Sequence, residues 1–113
     1  MSDLSAEDAK LVTLARATRA RTGAAEGAAV RDADGRTYAA ATVDLPSLRV
    51  SAVGVCVAMA VASGAKGLEA AVLLTGADRV GDGDLGALRD LGGRGVVVHR
   101  GDVRGTVAET RTT

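Results

Sequence analysis

Residues 48–63 read LRVSAVGVCVAMAVAS, with Arg49 the only charge, and Gly64 follows. The run is too long for a strand and short of the ~20 apolar residues of a membrane span. Its small residues, Ala52, Gly54, Ala58, Ala60 and Ala62, allow a neighbour to approach closely. Valines at 50, 53, 55, 57 and 61 lower helix propensity, so burial has to hold the segment helical. It reads as a buried central helix opened by Pro46-Ser47. A helix of that kind needs a sheet and further helices around it, which decides the fold class.

Working outward on the N-terminal side, Ser5 can cap a helix, and Glu7 and Asp8 suit its positive end. Leu11, Leu14, Ala15 and Thr18 then share one face, and Gly23 stops the helix, giving residues 5–22. Residues 27–31 and 37–43 flank Asp34-Gly35, a turn signal, and read as a β-hairpin. On the C-terminal side residues 69–75 form a buried strand. Residues 84–91 form a short helix ended by Gly92-Gly93, and residues 96–99 a second buried strand. Residues 103–107 add a further strand in one reading, and residues 109–113 read as a frayed tail. The expected architecture is α/β, a three-layer α-β-α sandwich of order α-β-β-α-β-α-β-(β) with a mixed sheet. It forms one domain over residues 1–108, followed by the tail.

The composition excludes several functions. Fourteen basic residues balance fourteen acidic ones, which argues against a nucleic-acid binder or a polybasic membrane patch. Cys56 and His99 are the only cysteine and histidine, so one chain cannot assemble zinc ligands from Cys and His alone. No disulfide can form within the chain, and a reducing, cytoplasmic setting is expected. Tyr38 is the only aromatic residue. The core must be built from Val, Leu and Ala, which bury less area each, and burial between subunits would compensate.

Single motifs carry little chemistry. Gly81, Gly83 and Gly86 match G-x-G-x-x-G, but Asp82 and Asp84 put negative charge where a pyrophosphate would sit. The bland alternative is a glycine-rich loop with Asp84 capping the next helix. Asp78, Asp82 and Asp84 follow no EF-hand spacing. Cys56 sits among Val and Ala with no His or Lys within a turn, as a small core hydrophobe does. His99 ends an apolar strand and reads as an edge-of-core imidazole. Arg100-Gly101-Asp102 spells an adhesion tripeptide, for which chance is explanation enough.

Read together, several segments resemble the cytidine deaminase family. The first helix, Gly27-Ala-Ala-Val with Asp34-Gly35 and Tyr38, and Thr42-Val43-Asp44 are similar to that family's first helix, first hairpin and ribose-holding stretch. Residues 61–64 and 70–74 resemble the end of its zinc-bearing helix and the strand after it. The resemblance covers residues 5–100 and implies the same fold. It departs from the family where the chemistry sits. The family's Cys-Ala-Glu corresponds to Ser51-Ala52-Val53, which loses a metal ligand and the proton-carrying glutamate. Its Pro-Cys-x-x-Cys corresponds to residues 80–84, with Gly81 and Asp84 at the ligand positions. The phenylalanine that packs on the pyrimidine falls near Ala24, and the segment between Asp44 and Ser51 is about two residues short.

The cost of those losses is large. Zinc lowers the pKa of its water from about 15.7 to about 7. Roughly nine units at ~1.36 kcal/mol each is on the order of 12 kcal/mol of lost activation. The resemblance therefore implies a degenerate member, with no catalytic residues, no metal and no cofactor. The leading expectation is a structural or interaction protein that forms a homo-oligomer, either dimer or tetramer, since the resemblance is to small cytidine deaminases that assemble as homotetramers. The alternative is a nucleoside-binding module without chemistry, with Thr42, Asp44 and Ser51 as polar contacts. A zinc-dependent hydrolase with ligands elsewhere comes third.

Overall fold

The computed structural model describes residues 4–113. Its elements in chain order are α1 (Ala6–Thr22), β1 (Gly27–Asp32), β2 (Thr37–Ala41), β3 (Val43–Leu45) and β4 (Leu48–Val50). They continue with α2 (Ala52–Ala62), β5 (Leu68–Leu74), α3 (Asp82–Gly92), β6 (Val97–Gly101) and β7 (Val107–Thr112). Five strands form one sheet in the order β2-β1-β5-β6-β7. β5 and β6 run parallel, joined by the α3 crossover, and the other pairs are antiparallel. This is the mixed α/β sandwich expected from the sequence.

Helices cover both faces of the sheet, and strand alternation assigns each side chain to a layer. Ala29, Ala70, Val72 and Leu74 pack beneath Leu11 and Ala15 of α1. Ala28, Val30, Ala71, Leu73 and Val98 point the other way, against Val53, Cys56, Leu85 and Leu88 of α2 and α3. A strand buried on both faces reads as a continuous apolar run, which explains the pattern of residues 70–74. With no large side chains available, close approach does the packing. A Cβ added at Gly27 would collide with the Ala15 carbonyl oxygen and lie 2.6 Å from Arg19 Cβ. α1 therefore rests directly on the β1 backbone.

Three expectations need correction. α2 does not start after Pro46-Ser47. Those residues are the turn of a small hairpin, with Leu45 opposite Leu48 and Val43 opposite Val50. Val50 is β-branched and suits that strand. Ser51 then takes the extended cap conformation and its Oγ accepts the Gly54 N–H at 3.0 Å, which fixes the helix start one residue later. α3 begins at Asp82 rather than Asp84, and its cap position is Gly81, which offers no side-chain bond.

The third correction concerns the chain end. Residues 103–106 turn, with Asp102 Oδ1 accepting the N–H groups of Arg104 and Thr106. Residues expected to fray instead form β7, paired with β6 from Val107 to Thr112. The Thr113 N–H donates to the Val96 carbonyl at 3.0 Å, and its hydroxyl donates to the Gly93 carbonyl at 2.6 Å. The ordered fold thus runs past residue 108.

Candidate functional site

α2 and α3 lie on the same sheet face and pack against each other. Their first turns meet through side chains. Ser51 caps α2, and its hydroxyl also donates to Asp84 Oδ1 at 2.6 Å. Asp84 lies in the first turn of α3, where a helix N-terminus favours a carboxyl group. Both capacities of the Ser51 oxygen are in use: it accepts from Gly54 and donates to Asp84. Val53, in the first turn of α2, is 1% exposed and belongs to the apolar core with Ala52 and Cys56.

The donor set does not suit a transition metal. Zinc takes three or four nitrogen, sulfur or oxygen ligands around one point. Here the three positions supply one hydroxyl, one carboxyl and, at Gly81, no side chain. The hydroxyl and carboxyl are bonded to each other. Among the described residues, no three His, Cys, Asp or Glu side chains are grouped as metal ligands. A zinc-bound water has no place in the chemistry of these residues as they stand.

The other candidate residues are dispersed. Thr42 uses its Oγ1 to accept the Glu26 N–H at 3.0 Å. Glu26 in turn accepts the Thr75 hydroxyl at 2.6 Å, latching the ends of β1 and β5. Asp44 stands on the β3–β4 hairpin, 80% exposed, beside Arg49 Nε at 3.4 Å. Thr42, Asp44 and Ser51 are therefore each engaged by a different neighbour. The glycine motif forms no phosphate loop: Gly83 and Gly86 lie inside α3, and residues 75–81 separate β5 from that helix. Cys56 is buried, and burial pushes its thiol up to about 12. Its S–H points at the Tyr38 carbonyl at 3.6 Å, so it packs as a core residue rather than a nucleophile.

Two polar networks escaped sequence reasoning. On the α1 side, His99 is 5% exposed and bridges two elements. Its Nε2 lies 2.8 Å from Asp8 Oδ2 and its Nδ1 2.8 Å from Thr110 Oγ1. Asp8 Oδ1 accepts from Arg31 at 2.9 Å, and Arg31 Nε donates to Glu69 at 2.7 Å. Burial pushes the Asp8 carboxyl up, but its bonds to His99 and Arg31 outweigh that and hold it below the ordinary range. In the β1–β2 turn, Asp32 is wholly buried and accepts four bonds, from the Asp34 and Arg36 amides, Arg36 Nε and the Tyr38 hydroxyl. Gly35, at φ 87°, supplies the left-handed residue of that turn.

The Ser51–Asp84 bond has a measurable consequence. Ser51→Ala removes a helix cap and a partner of Asp84 together, and about 1–2 kcal/mol of stability should go with it. Asp84→Ala should cost about 1 kcal/mol. In urea denaturation the double variant is expected to fall short of additivity by about 0.5–1 kcal/mol. Strict additivity would mean that the two side chains do not act on one another.

A three-layer sandwich with two helix N-termini meeting on one face defines a class of α/β domain. The chain belongs to the cytidine deaminase-like family, whose model matches residues 4–105. Its fold is similar to that of cytidine deaminase from Mycobacterium leprae, with a TM-score of 0.74 and 21% identity over 96% of this chain and 94% of that one. The enzyme from Burkholderia pseudomallei gives 0.77 and 19% identity over 97% and 92%. The one from Bacillus anthracis gives 0.69 and 12% over 96% and 84%. A comparison with curated proteins finds no match.

Proposed function

We propose that this chain is a metal-independent, catalytically inactive member of its family that serves as a structural or interaction protein and assembles as a homo-oligomer. The observation that carries this reading is the Ser51–Asp84 bond at 2.6 Å. Two positions that correspond to ligands in the family are joined directly, the third is Gly81, and the position of the proton carrier is Val53 in the core. Cytidine hydrolysis needs both an activated water and a group to move protons, and these residues offer neither.

Assembly is supported by α2, which carries no charged side chain from Ala52 to Ala62. Its outer positions Ala58, Val61 and Ala62 are exposed, Val61 at 57%. A helix apolar on every side is typical of one covered on every side. No helix among the described residues is long and apolar enough to cross a membrane. The cytoplasm is the proposed compartment, in keeping with a single unpaired cysteine. The nucleoside-binding alternative gains no support from Thr42, Asp44 and Ser51, each of which already has a partner.

The test is metal content and turnover. Protein purified without chelator is expected to carry far less than one zinc per chain and to release no uridine from cytidine, with or without added zinc. Val53→Glu alone is expected to remain inactive. Stoichiometric zinc, or uridine formation by either protein, would overturn the reading. A dose-dependent thermal shift with one nucleoside would move it to the binding module.

A further inference from the structure

The sheet ends on β7, which has a neighbour on one side only. An open strand edge presents unpaired N–H and C=O groups and is a template for another strand. Natural edges are blunted by proline, by charged side chains, by a bulge or by a covering segment, and the charges on β7 then decide which strand it can accept. Here the register shift of the β6–β7 ladder, between Arg100 and Gly101 of β6, falls opposite the start of β7. It leaves Glu109 to Thr112 a regular, proline-free run.

The parity of the ladder shows what this run offers. Thr113 N–H bonds the Val96 carbonyl. Backbone groups alternate in direction along a strand, so Arg111 and Glu109 turn theirs toward β6. Thr110 and Thr112 turn theirs outward. Side chains alternate across the faces in the same register. Glu109 lies on the α2–α3 face beside Arg100, with Arg100 Nε to Glu109 Oε1 at 3.2 Å, and Arg111 lies two residues along on that same face. Arg111 is exposed and enters no ion pair among the described residues.

We infer that β7 pairs edge to edge with β7 of a second copy of this chain, antiparallel about a two-fold axis at Thr110, joining two five-stranded sheets into one. The charge pattern selects this occupant. Antiparallel pairing centred on Thr110 sets Glu109 opposite Arg111 of the partner subunit, and symmetry repeats the contact with the roles exchanged. Glu109 then stands between Arg100 of its own chain and the partner subunit's Arg111. The two Thr110 residues exchange both outward backbone bonds at the centre. Glu109 and Arg111 fall at the closely spaced, non-hydrogen-bonded positions, where opposite charges act most strongly across strands. A pairing shifted by one residue either way breaks this match. The opposite edge, β2, carries no charged side chain from Thr37 to Ala41 and has no such code. The contact is short, so the dimer is concentration-dependent. The inference rests on the homo-oligomer reading and gives it a particular contact.

Sedimentation equilibrium with charge variants tests it. Glu109→Arg places arginine opposite arginine, and Arg111→Glu places glutamate opposite glutamate. Each alone is expected to weaken dimerisation about tenfold or more. The two singles mixed together should regain it, because each Arg then meets a Glu across the axis. The double variant, Glu109→Arg with Arg111→Glu, should regain it as well. Recovery on mixing cannot come from misfolding of either single, and matching thermal melts control for the lost Arg100 contact. Wild-type association that neither single disturbs would overturn the β7 contact and leave the homo-oligomer reading standing. A wild-type protein monomeric at every concentration would overturn both.

Discussion

Substituting three positions together, Ser51→Cys, Gly81→Cys and Asp84→Cys, is expected to give a protein that takes up about one zinc per chain and is stabilised by it. The local structure favours the graft. Ser51 Oγ and Asp84 Oδ1 already lie 2.6 Å apart, and two thiolates on one tetrahedral zinc sit about 3.8 Å from each other. A Cβ at Gly81 meets nothing within 4 Å, and Gly81 has φ −68°, which any residue adopts. Two helix N-termini also favour thiolates. At free zinc about a thousandfold above its dissociation constant, binding to the folded state alone adds roughly 4 kcal/mol. The readouts are metal content by mass spectrometry and a melting temperature that rises with zinc and falls with chelator. A melt indifferent to zinc would mean that the three positions do not converge on one point. The triple variant should still form no uridine, since Val53 can neither take nor give a proton.

That graft uses positions supplied by the resemblance to cytidine deaminases, two of which, Ser51 and Asp84, the fold brings into contact. Ser51, Gly81 and Asp84 are found by their places relative to Gly64 and to the residue 70–74 strand. What they do is not legible, because a bond between residues 51 and 84 depends on how two helices pack. The same limit hid His99, whose partners Asp8 and Thr110 come from opposite ends of the chain. Elements with strong local signals were legible. α1 has its Ser5 cap, its acidic first turn and Gly23, and the first hairpin has Asp34-Gly35.

The misplaced elements share one physical cause. Leu48–Val50 has the hydropathy of the helix after it, and only the Ser51 cap separates them. β7 alternates half-buried and exposed residues only over Val107–Thr110, Arg111 and Thr112 are exposed, and in sequence it resembles a solvated tail. Its strand character comes from β6 beside it, as β propensity in general reflects neighbours. In sequence Asp32 merely adjoins the Asp34-Gly35 turn, with nothing to mark it as buried. Its burial follows from Tyr38 and Arg36 folding over it.

That burial makes Asp32 the site of the second large effect. Asp32→Ala is expected to cost about 3–5 kcal/mol, a large part of the ~5–15 kcal/mol that holds a small domain together. The carboxylate satisfies the Asp34 and Arg36 amides, Arg36 Nε and the Tyr38 hydroxyl, all at 2.9 Å. Truncation leaves the enclosed donors among them without partners, and unmet buried donors cost more than the bonds themselves contribute. Chemical denaturation should show the loss with little change in slope. A cost below about 1 kcal/mol would mean that water replaces the carboxylate. The pH dependence separates charge from shape. Burial pushes the Asp32 carboxyl up, but its donors prevail and hold it below the ordinary range. Its folded pKa is therefore lower than its unfolded one, near 3.9. The stabilisation is full above that value and is lost as pH falls through the folded pKa, because the unfolded chain takes up the proton first. Asp8 is held low as well, by His99 and Arg31, and adds to the same loss. Wild-type stability should fall steeply below about pH 4. Asp32→Asn keeps the side-chain shape but does not titrate, so it should be weaker at neutral pH and lose less on acidification. Parallel acid profiles for wild type and Asp32→Asn would place the acid-sensitive charge elsewhere.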